Sequence, residues 1–152
     1  MYSITKRMQK VYWATTYFVM GYAIIIAATV ATYQLPVSIR ASIGMVVASV
    51  VFVDFGYRFF KRICEPGKSL HWKSVVKLMS YWAILNFALD VLLLIILIPF
   101  LATGDFNWLF FKQQPYLYWA QFPMFYVFGF VAQSLYNRVQ VIVSSQAKQL
   151  TE

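Results

Sequence analysis

Four long, mostly apolar runs make up most of the sequence, at about residues 11–33, 37–60, 75–100 and 116–143. A helix needs roughly 20 such residues to cross the hydrocarbon core of a bilayer, and lipid offers the backbone no other hydrogen-bond partner. Because 61% of the 152 residues are hydrophobic and only 12% are charged, a water-soluble enzyme, a disordered tail and a secreted disulfide scaffold are excluded. The sequence predicts an all-α integral membrane protein, a single domain over 1–152 with four transmembrane helices.

The basic residues predict an orientation. Lysine and arginine concentrate before the first run, between the second and third, and after the fourth, whereas the opposite ends carry only Arg40 and Lys112. Since basic residues stay on the cytoplasmic side, we expect both termini in the cytoplasm and the protein in the cytoplasmic (inner) membrane. The net charge of +8 then reflects topology and anionic lipid headgroups, and nucleic acid is not an expected partner.

Small and aromatic residues suggest two contact surfaces. Alanines at four-residue spacing (Ala23, Ala27, Ala31) and the pair Gly44 and Ala48 would let helices approach closely, either in a tight hairpin of the first two runs or in a homo-oligomer.

The connection at about 101–114 is rich in aromatic residues, among them Phe106, Trp108, Phe110 and Phe111. We expect this connection to lie at the outer surface of the membrane, in the interface with water. The alternative is that its aromatic residues form a platform for a sugar or lipid headgroup.

Two acidic residues lie inside the apolar runs, where an ionisable group is costly and is a functional candidate. Asp90 has no basic residue within two turns of its own helix, so it should be protonated, paired across helices or in contact with water. Asn86 lies one turn before it. Asp54 and Arg58 are spaced as an i,i+4 ion pair whose arginine extends to the interface, with a coupling role for Asp54 as the alternative.

The residues needed for cofactor or enzyme chemistry are scarce. Cys64 is the only cysteine and His71 the only histidine, which excludes an intramolecular disulfide and a cysteine-based metal cluster. No paired-carboxylate or Ser–His arrangement is present either. We therefore expect no cofactor, no metal and no enzymatic activity.

The second and fourth runs end alike. Asp54 is followed by Tyr57-Arg58, and Gln133 by Tyr136-Asn137-Arg138. This similarity predicts two helical hairpins that form a parallel repeat of the kind found in small transporters.

At these residues the chain resembles the GtrA-like family of small four-helix membrane proteins. Ala83, Asn86 and Asp90 have the family's spacing in the third run, and Gln133 with Asn137-Arg138 ends the fourth. The first run keeps only the glycine of that motif, Gly21. The resemblance implies translocation, or flipping, of a polyprenyl-phosphate-linked sugar across the cytoplasmic membrane for cell-surface polysaccharide glycosylation. It implies membrane lipid and lipid-linked sugar as partners, together with a membrane glycosyltransferase.

Such a translocator needs cations that collect phosphate at its inner mouth and a polar path for sugar hydroxyls. The expected phosphate-binding residues are Arg58, Lys61, Arg62 and Arg138, and the expected substrate-binding residues are Asn86, Asp90, Gln121, Gln133 and Asn137. Without a nucleotide-binding loop, movement would be downhill or ion-coupled.

Two other functions fit the same residues. One is a small proton-coupled multidrug-type exporter, working as a dimer, with Asp90 as the proton-exchanging carboxylate. The other is a non-transporting assembly or regulatory subunit of a membrane complex, in which Asn86, Gln121 and Gln133 are interhelical hydrogen-bond contacts.

Overall fold

The computed structural model describes residues 2–65, 68–109, 112 and 116–149, and within these ranges the protein is helical, with no strand. Its elements are α1 (Tyr2–Ala31), α2 (Val37–Ile63), α3 (Trp72–Asp90), a π-helical segment (Val91–Leu97), α4 (Ile98–Thr103) and α5 (Tyr116–Gln149). The elements from α3 to α4 form one continuous helix. The all-α prediction is confirmed.

Among the described residues, three helices are long and apolar enough to cross a membrane: Arg7–Ala31, Ser38–Ile63 and Trp72–Thr103. Large apolar side chains such as Ile84 and Val141 are exposed on the surface of the bundle, where water would be unfavourable and lipid is a suitable solvent. These features are compatible with a multi-pass membrane protein. The fourth predicted span, α5, is not among the three, since Gln121, Gln133 and Arg138 reduce its apolar character.

A short connection at 32–36 folds α2 back along α1. Phe18 of α1 stacks on Phe52, and a Cβ atom placed on Gly21 would lie 3.1 Å from Val51. The hairpin does not use the predicted alanine stripe, because Ala23, Ala27 and Ala31 are exposed, and a Cβ atom on Gly44 would meet no atom within 4 Å. The face of α1 that packs inward is the opposite one, which carries the buried Phe18.

The contacts also fix the directions of the remaining helices. Between α1 and α3 they advance together, from Ala14 with Trp82 to Tyr22 with Asp90, so these helices run parallel. Between α2 and α5 the contacts advance from Phe52 with Phe125 to Tyr57 with Tyr136, and these helices are likewise parallel. The arrangement is a four-helix ring in the order α1, α2, α5, α3.

An aromatic layer fills the middle of the bundle. Phe18, Phe52, Trp82 and Phe125 are buried from all four helices and contact one another at ring-centroid distances of 4.7–6.2 Å. The indole Nε1 of Trp82 donates a hydrogen bond of 2.9 Å to the carbonyl oxygen of Ala14, which satisfies its only polar atom. This layer separates the basic end of the bundle from the region around Asp90.

At the other end, the aromatic connection is described only in part. Phe106 stacks on Phe100 and contacts the edge of Trp108. Phe110 and Phe111 lie outside the described residues. Trp108 is 71% exposed, which suits a side chain at a membrane surface.

Candidate functional site

Asp90 is buried at the carboxyl end of α3, with 5% of its surface exposed. The hydroxyl of Tyr22 donates to its Oδ1 at 2.8 Å, and Nδ2 of Asn86 donates to its Oδ2 at 2.8 Å. Because Tyr22 belongs to α1, its hydrogen bond to Asp90 joins two helices. Both carboxyl oxygens are therefore held in a fixed geometry inside the bundle.

The helix changes its hydrogen-bonding pattern directly after this carboxylate. The π-helical segment begins at Val91, and Ile95 within it is buried. Short π-helical insertions in α-helices are frequent at functional sites, because the extra residue per turn shifts the faces that neighbouring side chains present. The irregular segment of the continuous helix from α3 to α4 thus begins at the residue after Asp90.

A cavity of about 160 Å³ adjoins Asp90. Its polar lining comes from Tyr22, Asn86, Asp90 and Gln121, and the rest is apolar. The Nε2 atom of Gln121 is buried and has no hydrogen-bond partner in the described part of the chain. Buried donors are normally satisfied, so this amide indicates room for water or for a ligand oxygen. Asn86, Asp90 and Gln121, three of the predicted substrate-binding residues, thus share one cavity.

The other two predicted substrate-binding residues lie elsewhere. Nε2 of Gln133 donates to the carbonyl oxygen of Leu70 at 2.7 Å, and Oδ1 of Asn137 accepts from the backbone N–H of Leu70 at 2.8 Å. Leu70 is in the connection between α2 and α3, at the basic end. These two side chains hold that connection against α5 and do not line the Asp90 cavity.

The predicted phosphate-binding residues do not line a common cavity among the described residues. Nε of Arg58 lies 2.8 Å from Oδ2 of Asp54, the ion pair that the sequence predicted, and both side chains are exposed. The guanidinium of Arg62 lies 3.4 Å from the ring centre of Trp13, a cation–π contact. Lys61 is exposed, and Arg138 borders an open groove between α2 and α5.

Three other cations surround a cavity of about 480 Å³ at the basic end of the bundle. Arg7 and Lys10 reach it from α1 and Lys77 from α3, while Phe60 and Leu78 form part of its apolar wall. From the sequence, these three basic residues contributed only to the predicted orientation of the helices in the membrane. The sequence does show that Ser74, Lys77 and Tyr81 are spaced to lie on one face of a helix. This spacing does not show which other helix that face contacts.

His71, the only histidine in the sequence, lies directly before the first residue of α3. Nδ1 of His71 accepts a hydrogen bond from the backbone N–H of Lys73 and caps α3. Among the described residues, no three His, Cys, Asp or Glu side chains lie close enough to hold a metal ion.

Comparison with known proteins identified no relative. No family model, curated protein or solved structure matches the chain.

Proposed function

We propose that this protein is a four-span membrane translocator that moves the headgroup of a polyprenyl-phosphate-linked sugar across the cytoplasmic membrane. The observation that carries the proposal is the buried carboxylate of Asp90, held by Tyr22 and Asn86 beside a cavity with the unmet donor of Gln121. A carboxylate inside an apolar bundle is costly, and such groups usually serve transport or proton transfer. The cavity offers both hydrogen-bond acceptors and donors, which suits sugar hydroxyls because each hydroxyl can both donate and accept.

The helix arrangement supports this proposal. The α1–α2 hairpin and the pair formed by α3 and α5 lie side by side, with α1 parallel to α3 and α2 parallel to α5. Tyr57 and Tyr136, which occupy the same place in the two similar sequence segments, contact each other at a centroid distance of 6.5 Å. Parallel repeats about an axis along the membrane normal are a common plan of transporters. In the proposed topology, α5 is the fourth span and both termini are cytoplasmic.

The aromatic layer defines what has to move. It separates the cavity at the basic end from the cavity at Asp90, so a headgroup passing between them must displace Phe52 or Trp82. Rocking of one hairpin against the other would open this layer, as in alternating access. A sugar ring could stack on the same aromatic faces during passage.

The second candidate is a proton-coupled exporter, and the same carboxylate favours it. Protonation of Asp90 would change its hydrogen bonds with Tyr22 and Asn86, which provides a means of coupling. The cations at the basic end argue against cationic drugs, since Arg7, Lys10 and Lys77 would repel them from the nearby cavity. A pH gradient that drives export of a hydrophobic cation from vesicles would favour this candidate.

The proposal is tested in vesicles that contain the purified protein and an NBD-labelled isoprenyl phosphoryl hexose. Dithionite added outside bleaches only the outer leaflet, so the slow phase of bleaching reports translocation. We expect Asp90→Asn to slow that phase by about tenfold or more, which corresponds to about 1.4 kcal/mol of barrier. Asp105→Asn, an identical chemical change in an exposed connection, is the control and should leave the rate unchanged.

Tyr22→Phe provides a milder variant that keeps the ring and removes only the hydroxyl donor to Asp90. An intermediate rate is expected. Equal rates in wild-type and protein-free vesicles, or in Asp90→Asn and wild type, would refute the proposed translocation.

A further inference from the structure

We infer that the cavity between α1, α2 and α3 at the basic end binds the phosphate group of an anionic lipid, with Arg7, Lys10 and Lys77 as the phosphate ligands. This inference deepens the proposed function, because the phosphate would belong to the lipid that the protein moves. It assigns phosphate binding to residues other than the four expected from the sequence. Its test measures binding and not movement, so the two proposals can fail separately.

The charge around this cavity has one sign. Arg7, Lys10 and Lys77 converge on it from two helices, and the residues that line it include no aspartate or glutamate. Within the part of the chain that the structure describes, none of the three cations forms a salt bridge. Arg58 and Arg62, by contrast, are engaged by Asp54 and Trp13. Clustered cations without carboxylate partners repel one another, and an anion would relieve that repulsion.

The walls of the cavity indicate a lipid as the source of the anion. Most of the lining between the cations is apolar: Val11, Ala14, Phe59, Phe60, Ile63 and Leu78. Ser74 and Tyr81 add hydroxyl groups on the α3 side. A volume of about 480 Å³ is larger than a phosphate needs and lies in the usual range of small-molecule sites. The cavity therefore suits a phosphate joined to an apolar chain, with space for a further polar group.

The direction of α3 adds to the positive potential. This helix begins at Trp72, and Ser74 in its first turn lines the cavity. The amino end of a helix carries a partial positive charge that favours anions close by. Because His71 already accepts from the N–H groups of Lys73 and Ser74, the helix contributes its dipole here, and the side-chain cations supply the direct contacts.

The experiment measures binding of farnesyl phosphate to the full-length protein in a neutral detergent. Farnesol, which has the same chain without the phosphate, shows what the apolar wall alone contributes, and inorganic phosphate shows what the anion alone contributes. We expect farnesyl phosphate to bind more tightly than either. The double variant Lys10→Gln/Lys77→Gln should weaken that binding by about a hundredfold, because each charge-assisted contact accounts for about a factor of ten. Farnesol binding should stay unchanged.

A matched variant separates the cavity from the overall charge. Lys73→Gln removes the same charge one turn from Lys77, and Lys73 does not line the cavity. It should bind farnesyl phosphate as the wild type does, and Lys77→Arg, which keeps the charge, should retain most of the affinity. A monodisperse peak in gel filtration and an unchanged melting temperature show that each variant is folded.

Three results would overturn the inference. One is wild-type protein that binds farnesyl phosphate no more tightly than farnesol. Another is equal affinity of Lys73→Gln and the double variant Lys10→Gln/Lys77→Gln for farnesyl phosphate, which would reduce any effect to one of general surface charge. Competition by inorganic phosphate at the same concentration as farnesyl phosphate would overturn the lipid source, since the apolar wall would then contribute nothing.

Discussion

The hydroxyl of Tyr22 donates a hydrogen bond of 2.8 Å to Oδ1 of Asp90 and thereby joins α1 to α3 inside the bundle. Asn86 holds the second carboxyl oxygen from within α3. These two hydrogen bonds, one within α3 and one between helices, both hold the carboxylate. Only the contact between helices depends on how α1 and α3 pack.

Removing the Tyr22 hydroxyl should destabilise the bundle. For Tyr22→Phe we expect the free energy of unfolding to fall by about 1 kcal/mol, the usual size of a hydrogen bond between membrane helices. Unfolding in mixed micelles with increasing SDS measures this change. Tyr33→Phe removes a hydroxyl from a residue that is 74% exposed and should have no effect. Equal stabilities of Tyr22→Phe and wild type would show that the contact does not stabilise the fold.

A methyl group at Gly129 should disturb the contact between α3 and α5. An added Cβ atom would collide with Met79 and lie 2.9 Å from Cγ1 of Val75, and both neighbours are fully buried. Gly129→Ala should therefore lower the free energy of unfolding by about 1–3 kcal/mol. Gly44→Ala is the matched control, because a Cβ atom there meets no atom within 4 Å. It should be neutral or stabilising by up to about 1 kcal/mol, since alanine favours helix. The same loss at both glycines would contradict this packing.

The connection between α2 and α3 should loosen when its amide partners are removed. Asn137→Ala takes away the acceptor for the buried N–H of Leu70, and Gln133→Ala takes away a donor to its carbonyl oxygen. An unsatisfied buried group costs about 1–3 kcal/mol, so amide hydrogen exchange at Leu70 should become about fivefold faster or more. Ser134→Ala changes an exposed neighbour on α5 and should leave that exchange rate as in the wild type.

Cys64 should react slowly with maleimide near neutral pH. Burial raises the pKa of its thiol, and the positive charge of Lys10 offsets part of that rise. Because the thiolate is the reactive form, the rate should increase with pH and should fall at a given pH in Lys10→Gln, where the offset is lost. Mass spectrometry after timed labelling measures the rate. Ser145→Cys in a Cys64→Ser background, at an exposed position, gives the fast reference. A faster reaction in Lys10→Gln would contradict the effect of that charge.

Features that depend on neighbouring positions in one helix were predictable. The ion pair of Asp54 with Arg58 and the contact of Asn86 with Asp90 both follow from a four-residue spacing, which places two side chains on one face. The all-α fold and three apolar helices long enough to cross a membrane follow from the length and apolar character of the runs. The roles of Asn86, Asp90 and Gln121 in binding substrate stay predictions, although the structure brings them to one cavity.

Features that depend on the rotation of each helix about its axis required the tertiary structure. The alanine stripe of α1 and the aromatic face that includes Phe18 were both apolar, and packing against α2 and α3 turned the aromatic face inward. For the same reason the sequence did not show that Gln133 and Asn137 bind Leu70.

The sequence by itself determined the helices, their apolar length and the pairs of polar side chains within one helix, because these depend on the regular geometry of a single chain segment. The tertiary structure decided that Tyr22 meets Asp90, and that Arg7, Lys10 and Lys77 surround one cavity while Arg58 and Arg62 do not. The physical reason is the packing of bulky aromatic residues such as Phe52 and Trp82, which sets how the helices are rotated against one another. That rotation decides which side chains of different helices meet. The spacing of residues along one helix carries no information about it.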